Sequence, residues 1–256
     1  MRIATWNVNS LKARLPRVEE WLEQAQPDVL CLQENKLTDA AFPALGFGAL
    51  GYEAAHHGEG RWNGVAILSQ VGLDAVETGF GPEDDDREAR LLWATCGGVR
   101  VASIYVPNGR ELGHDHYNYK LAWLARLRQH LDTSCSPDQA VAVCGDFNIA
   151  PDDRDVWDPA AFVGSTHVSP PEREALAALE GWGLVDVFRQ RYADDRLYTY
   201  WDYRAGMFHK HLGMRIDLIL ASEALADRST WALVDRNARK GKLPSDHAPL
   251  LVDFEL

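Results

Sequence analysis

Four cysteines occur in 256 residues, at Cys31, Cys96, Cys135 and Cys144, and no two of them stand in CxxC spacing. That scarcity argues against a disulfide framework and against a thiolate zinc site. No apolar run approaches the roughly 18 residues that a membrane span needs. The opening Met1-Arg2-Ile3-Ala4-Thr5-Trp6 enters strand-like residues at once, without the basic-then-apolar pattern of a leader. A cytoplasmic protein that neither crosses nor binds a membrane is expected. Positive charge is also short, with 26 Lys and Arg against 38 Asp and Glu and a formal net charge of −12. General affinity for polyanions is thereby disfavoured, because counterion release needs cations facing phosphates. Neither a linker rich in Gly, Pro or Ser nor a short repeat is visible, so one domain over residues 1–256 and a monomer are the simplest expectations.

What the chain does contain is core-forming material, 46% hydrophobic and 10% aromatic. Residues 3–8 read as a first strand, and Leu11, Leu15, Val18, Trp21 and Leu22 recur at helical spacing over 11–24, with Pro16 near the start. Val29-Leu30-Cys31-Leu32-Gln33-Glu34 is a second apolar run and ends in a carboxylate. Segments 64–68, 91–95 and 99–106 read as strands around the acidic stretch Glu83-Asp84-Asp85-Asp86, and loops rather than helices between them predict antiparallel pairing. Leu121, Leu124, Leu127 and Leu131 predict a helix over 117–131, ahead of the buried strand 140–144. A further helix over 171–179 carries Glu172 and Glu174 in its first turn, where they complement the helix dipole. Residues 198–204 form a dense aromatic strand pattern, 214–220 a strand with Asp217 in its interior, and 248–254 the last strand.

The polar residues at the ends of these runs carry the chemistry. Asn7, Glu34 and Asp146 with Asn148 follow apolar runs, Asp217 interrupts one, and Asp246 with His247 precedes the last. Any one of them alone is as easily a loop cap or a solvated strand end. An ionised Asp217 between Ile216 and Leu218 needs a partner, and a histidine is expected. If the strands lie in packed sheets, their ends converge on one rim, where ligand sites are commonly built. Oxygen donors without a cysteine cluster favour Mg²⁺ or Mn²⁺ over zinc. The chemistry that fits is phosphate-ester hydrolysis, with a carboxylate activating water and a protonated imidazole, stabilised by Asp217, meeting the developing charge.

The segments Trp6-Asn7-Val8-Asn9, Leu32-Gln33-Glu34-Asn35-Lys36, Tyr105-Val106-Pro107-Asn108-Gly109, Gly145-Asp146-Phe147-Asn148, Gly213-Met214-Arg215-Ile216-Asp217 and Ser245-Asp246-His247-Ala248-Pro249 together resemble the exonuclease III family of apurinic/apyrimidinic endonucleases, in the right order along the whole chain. Asn35 departs from the usual Thr, a change expected to affect loop packing rather than chemistry. The resemblance implies a four-layer α/β sandwich, two mainly antiparallel sheets face to face with helices outside. It implies Mg²⁺, with Mn²⁺ as a substitute, held chiefly by Glu34 with Asn7 and Asp246 close by and Asp146, Asn148 and His247 around it. Asp146 would orient or deprotonate the attacking water, or bind a second metal. Asn148 would hold the nucleophile or phosphate, while His247, oriented by Asp217, and Tyr105 would contact the scissile phosphate. Asn9 and Asn108 are further substrate contacts, and Tyr200, Trp201, Met214 and Ile216 match the pocket for a base-free sugar.

The implied substrate is duplex DNA with abasic sites or blocked 3′ ends, cut 5′ to the abasic site, with 3′-5′ exonuclease and 3′-phosphatase activities alongside. Residues around Thr166-His167-Val168 are expected to tune the balance. DNA contact would rest on a local basic rim with Lys36, Arg110, Arg204, Lys210, Arg239, Lys240 and Lys242 as candidates. Inositol polyphosphate phosphatases, sphingomyelinases and deoxyribonuclease I share much of such a metal site. A non-catalytic phosphate-binding module would leave the acid, amide and imidazole set without purpose.

Overall fold

Alternation of side chains along the strands decides the layers. The computed structural model describes residues 1–81, 86 and 88–256. In chain order the elements are β1 (Arg2–Asn7), α1 (Leu11–Ala25), β2 (Val29–Gln33), α2 (Ala44–Ala49), β3 (Glu53–His57), β4 (Val65–Ser69), β5 (Asp74–Thr78), β6 (Leu91–Cys96), β7 (Val99–Tyr105), α3 (Asp115–Ser134), β8 (Val141–Asp146), α4 (Pro170–Glu180), β9 (Leu184–Asp186), α5 (Val187–Arg191), β10 (Asp217–Ser222), β11 (Ser229–Val234) and β12 (Leu250–Phe254). Ile3, Val29 and Cys31 pack against Ala142, Cys144 and Ile219 in a core between two sheets. Their neighbours Ala4, Trp6, Leu30 and Leu32 pack instead with Val18, Trp21 and Leu22 of α1. In the second sheet Val141 and Val143 join Leu124, Leu127 and Leu131 of α3 and Leu176 of α4. Burial on both faces is why these strands read as continuous apolar runs rather than alternating ones. The result is helix, sheet, sheet, helix.

Among the described residues the first sheet has the order β11-β12-β1-β2-β4-β3 and the second β5-β6-β7-β8-β10-β9. All neighbours are antiparallel except β1 with β2 and β7 with β8. Those two pairs are joined through α1 and α3, since parallel neighbours need a long crossover. Gly145 lies opposite Ile104 in the second parallel pair, and a Cβ there would come 2.0 Å from the Ile104 carbonyl oxygen. Beneath the rim a buried polar string ties the sheets together. Thr5 Oγ1 donates to Gln33 Oε1 at 3.2 Å, and Gln33 Nε2 donates to Ser103 Oγ at 3.2 Å.

Several expectations are corrected. Residues 198–204 form no strand; Tyr200 makes only isolated bridges to Met214 and His247. Tyr198 and Trp201 are spent on packing, and the Thr199 hydroxyl accepts the backbone N–H groups of Ile216 and Asp217, both at 3.1 Å, in place of a ladder. Asp217 is the first residue of β10 rather than an interior one. Strands β3, β5, β9 and β11 were not anticipated; β5 is exposed throughout and β11 largely so, which removes the apolar signal. The acidic stretch at 83–85 lies outside the described residues. All four cysteines are free, and no helix among the described residues is long and apolar enough to cross a membrane.

One buried ion cluster anchors the segment before β10. The Arg215 guanidinium is fully buried, with Nε 2.7 Å from Asp155 Oδ1 and Nη1 2.7 Å from Asp186 Oδ2. Removing one partner strands a buried charge, whereas the half-exposed pair Arg128–Asp132 on α3 is screened by water. Asp155→Ala is therefore expected to lower the unfolding free energy in urea by about 3–5 kcal/mol. Asp132→Ala should cost less than about 1 kcal/mol in the same assay; similar losses for both would show that burial does not set the scale.

Candidate active site

The ends of four strands supply the polar groups. β1 ends at Asn7, β2 runs into Glu34, β7 ends at Tyr105 and β8 at Asp146, while Asp217 opens β10 directly opposite Asp146. Asn7 Nδ2 donates to Glu34 Oε1 at 2.8 Å and to Asp146 Oδ2 at 2.9 Å, so one amide bridges the two carboxylates. Its Oδ1 accepts the Asn9 backbone N–H at 2.9 Å. Lys36 Nζ sits 2.9 Å from Glu34 Oε2 and 2.6 Å from Asn9 Oδ1, and Asn9 Nδ2 reaches Asp246 Oδ1 at 3.2 Å. The turn from β2 is tight: Glu34 and Lys36 have φ of 52° and 54°, a left-handed region costly for side-chain-bearing residues and often met at functional sites.

His247 Nδ1 lies 2.8 Å from Asp217 Oδ2, and its Nε2 is 3.8 Å from Asp146 Oδ2. The chain reaches this position because Ser245 Oγ donates to the Asn7 carbonyl at 2.7 Å and accepts the His247 N–H at 3.2 Å. Burial alone would lower the imidazole pKa, but Asp217 and Asp146 outweigh it and raise it from 6.5 to about 10, so His247 is a cation at neutral pH. Burial, opposed by the His247 charge and reinforced by Asp217 and Glu34, holds the Asp146 carboxyl up at about 7. For Glu34 the same burial is overcome by Lys36 and Asn7, leaving it below its usual range. Burial and the Glu34 and Asp146 charges push the Tyr105 phenol well above its ordinary value, so it remains a donor. Arg90 stacks 4.8 Å from the Tyr105 ring centroid and donates to its carbonyl at 3.1 Å.

Glu34, Asp146 and His247 each offer one ligand atom within 4.8 Å of the others, a cluster able to hold a divalent metal. Asn148 and Asp246 lie outside that trio. Asn148 Nδ2 donates to the Val106 carbonyl at 2.9 Å, and its Oδ1 accepts from Asn108 Nδ2 at 3.2 Å. Tyr200, Met214 and Ile216 do meet, in an apolar cluster with Val156, Phe162 and Val168. Trp201 does not join them; it is fully buried in a separate cluster with Tyr198 and Ala248. Of the expected basic rim, Arg239 is withdrawn: it is buried, donates to the Trp201 carbonyl at 3.0 Å and stacks on Phe208. Lys36 is engaged by Glu34, while Arg110, Lys210, Lys240 and Lys242 are exposed. Asn35 is buried with neither amide atom hydrogen-bonded.

Sequence reasoning did not find Arg90, Thr199, Lys120 or Glu172 as supports of this site. A signal existed for the last two. Lys120 falls on the buried stripe of α3 with Tyr117, Leu124, Leu127 and Leu131, and Ser169 with Glu172 forms a capping box at the start of α4.

A family model described as the Endonuclease/Exonuclease/phosphatase family matches residues 4–247. Exodeoxyribonuclease III of Haemophilus influenzae is 32% identical, with 100% of each chain covered. DNA repair nuclease APEX1 of Danio rerio is 31% identical over 98% of this chain and 81% of its own. Among solved structures, an AP endonuclease from Archaeoglobus fulgidus matches with a TM-score of 0.97 at 37% identity, and the Neisseria 3′ phosphatase NExo bound to a product DNA hairpin with 0.96 at 39%, each covering 100% of both chains.

The Asp146 environment has a pH signature. A carboxyl whose pKa is raised by folding contributes stability that is complete below the ordinary carboxylate range and is lost as pH rises through about 7. Asp146→Asn is therefore expected to unfold at higher urea than wild type in metal-free buffer at about pH 8, the gap closing towards about pH 4. Equal urea midpoints at both pH values would contradict a penalised native carboxylate.

Proposed function

The chain belongs to the Endonuclease/Exonuclease/phosphatase family and within it to the exonuclease III group of apurinic/apyrimidinic endonucleases, and on that premise we propose a metal-dependent DNA repair nuclease that cuts duplex DNA 5′ to abasic sites and processes 3′ ends. The observation that carries the reading is the charged pairing of His247 with Asp217 beside a carboxyl held near neutral pH.

The donor set fits a hard divalent ion. Glu34 and Asp146 present carboxylate oxygens around one point, and no thiolate is nearby. A protonated, Asp217-bound His247 has no lone pair to give, so Glu34 would be the principal ligand, with Asp146, Asn7 and Asp246 around the ion. Mg²⁺ is the ion proposed, with Mn²⁺ as substitute, and when bound it would polarise the phosphoryl oxygen.

The remaining work falls to this chain's own groups. Asp146, 3.8 Å from His247 Nε2 and linked to Glu34 through the Asn7 amide, would take the proton from the attacking water or hold a second ion. Asn148, whose backbone N–H is held by Asp146 Oδ1 at 2.9 Å, carries the amide that would orient that water or a phosphate oxygen. His247 keeps Nδ1 on Asp217, with Nε2 3.8 Å from Asp146 Oδ2, and would act from there as a charged donor to the phosphate, joined by the neutral Tyr105 phenol. Tyr200, Met214 and Ile216 form the apolar wall against which a base-free sugar would pack, and their closeness would exclude an intact base.

A second reading, preference for 3′ ends over internal abasic sites, is favoured by His167. Its ring contacts the Asn148 carbonyl and stands 3.5 Å from the Asn108 amide, next to Val168 of the apolar cluster, where it would narrow the pocket proposed for a flipped sugar. The two readings separate in a side-by-side rate comparison on an abasic-site duplex, a 3′-phosphate end and an inositol phosphate. Fastest cutting of the abasic duplex is expected; a faster 3′-phosphate reaction would move the emphasis to end processing, and a faster inositol phosphate reaction would remove the nuclease reading. Chelation should abolish turnover and Mg²⁺ restore it. Asp146→Asn should lower kcat by about 10²- to 10⁴-fold, the usual contribution of a general base.

A further inference from the structure

Behind the substrate face, an ammonium group joins three loops that are remote in sequence. Lys120 is fully buried on α3, and all three of its N–H donors are spent. Nζ donates to the Asn148 carbonyl at 2.6 Å, to the Asn108 carbonyl at 3.3 Å and to Glu172 Oε1. Glu172, also fully buried, accepts the Thr166 hydroxyl at 2.7 Å and the His167 N–H at 2.9 Å on the same oxygen. Its other oxygen accepts the Ser169 N–H at 3.1 Å and hydroxyl at 2.6 Å. The same backbone segments carry the side chains of Asn108, Asn148 and His167: Asn108 Nδ2 donates to Asn148 Oδ1 at 3.2 Å, and the His167 ring contacts the Asn148 carbonyl. Asn148 has a φ of 51°, which directs its carbonyl to Lys120 while its amide takes part in the site. The loops are packed to contact: a Cβ at Gly109 would meet Thr166 Oγ1 at 2.7 Å and Lys120 Cδ at 3.2 Å.

A buried ion pair contributes little net stability compared with well-packed apolar residues, and a role in fixing geometry is the better physical account of one whose cation is shared by two loop carbonyls. We propose that Lys120 is a positioning residue for the reaction: its ammonium fixes the spacing of Asn108, Asn148 and His167 by holding the backbone that carries them, and so sets turnover without touching substrate. This deepens and rests on the nuclease reading above. Glu172 completes the device by fixing the ammonium and drawing the 166–169 loop to the same point.

The test replaces the pair rather than one member, because a lone buried charge would unfold the chain for unrelated reasons. Lys120→Met with Glu172→Gln keeps volume and removes the ammonium; the amide oxygen still accepts the Thr166 hydroxyl and the His167 N–H, while the amide nitrogen, a donor only, gives up the Ser169 N–H and can donate to the Ser169 hydroxyl. Its kcat on abasic or 3′-phosphate DNA is expected to fall about 100-fold, the scale of a misplaced catalytic group, with KM within about threefold of wild type. The side-chain amide ¹⁵N–¹H resonances of Asn108 and Asn148 should shift or broaden in metal-free, DNA-free protein. Lys120→Arg keeps the ion pair, but a planar fork cannot set one nitrogen on all three acceptors, so a smaller loss of about tenfold is expected. That variant carries the test should the double variant not fold. Wild-type kcat in the folded variants, with only the urea midpoint lowered, would overturn the proposal and leave Lys120 a plain stability element; unmoved Asn amide resonances would overturn it as well. Absence of turnover by the wild-type protein on every DNA substrate would instead remove the nuclease reading, and the amide resonances would still decide whether Lys120 positions the asparagines.

Discussion

The arrangement depends on three ionisable groups sharing one dry corner. Asp146, Asp217 and His247 are almost wholly buried, with His247 Nδ1 2.8 Å from one carboxylate and Nε2 3.8 Å from the other. At about 4 Å two unit charges interact by about 4 kcal/mol at an effective dielectric of 20, enough to outweigh the imidazole's desolvation. The proton on His247 is therefore a consequence of the fold. A protonated imidazole bound on one side has no lone pair for a metal, so on the reading proposed above it would serve as a donor to substrate. Asp146 receives less compensation and remains near neutral pH, where a carboxyl can both accept and release a proton. The corner is a local cost to stability of the kind that active sites commonly carry.

The strand ends were legible only as a set, since any one polar residue closing an apolar run is as easily a loop cap, whereas an ionised Asp217 between apolar neighbours needs a partner and its histidine followed from that need. Much of what supports the site was not legible. Lys120 lies on the buried stripe of α3, yet the carbonyls that receive it come from Asn108 and Asn148, and its counter-charge from Glu172. No local pattern announces a partner that distant. The aromatic segment 198–204 misled for a related reason: β propensity describes a fit to a pleated surface, and these rings pack around Thr199, whose hydroxyl replaces the ladder. Arg239 and Trp201 illustrate the limit of reading exposure from residue type. Arg239 was expected on the basic rim and Trp201 in the sugar pocket, and both are buried, with the Arg239 guanidinium over the Trp201 and Phe208 rings.

The strand pairing explains why a mostly antiparallel architecture gathers so many groups at one rim. In an antiparallel hairpin, adjacent strand ends of the same polarity point to opposite edges of the sheet. A parallel pair puts two C-terminal ends side by side, and each sheet contains such a pair: β1 with β2 delivers Asn7 beside Glu34, and β7 with β8 delivers Tyr105 beside Asp146. The helical crossovers α1 and α3 that make parallel pairing possible serve the rim as well. The α1 start is tied to the loop after β2 through Leu11 N–H on the Asn35 carbonyl at 3.1 Å, and α3 contributes Lys120. Face-to-face packing of the sheets then brings the two pairs together, and antiparallel β10 adds Asp217 from its N-terminal end. An acidic chain can handle a phosphodiester under these terms. His247 and Lys36 place positive charge at the site itself, and a bound divalent ion would add to it, so the net charge of −12 and the site's chemistry do not conflict.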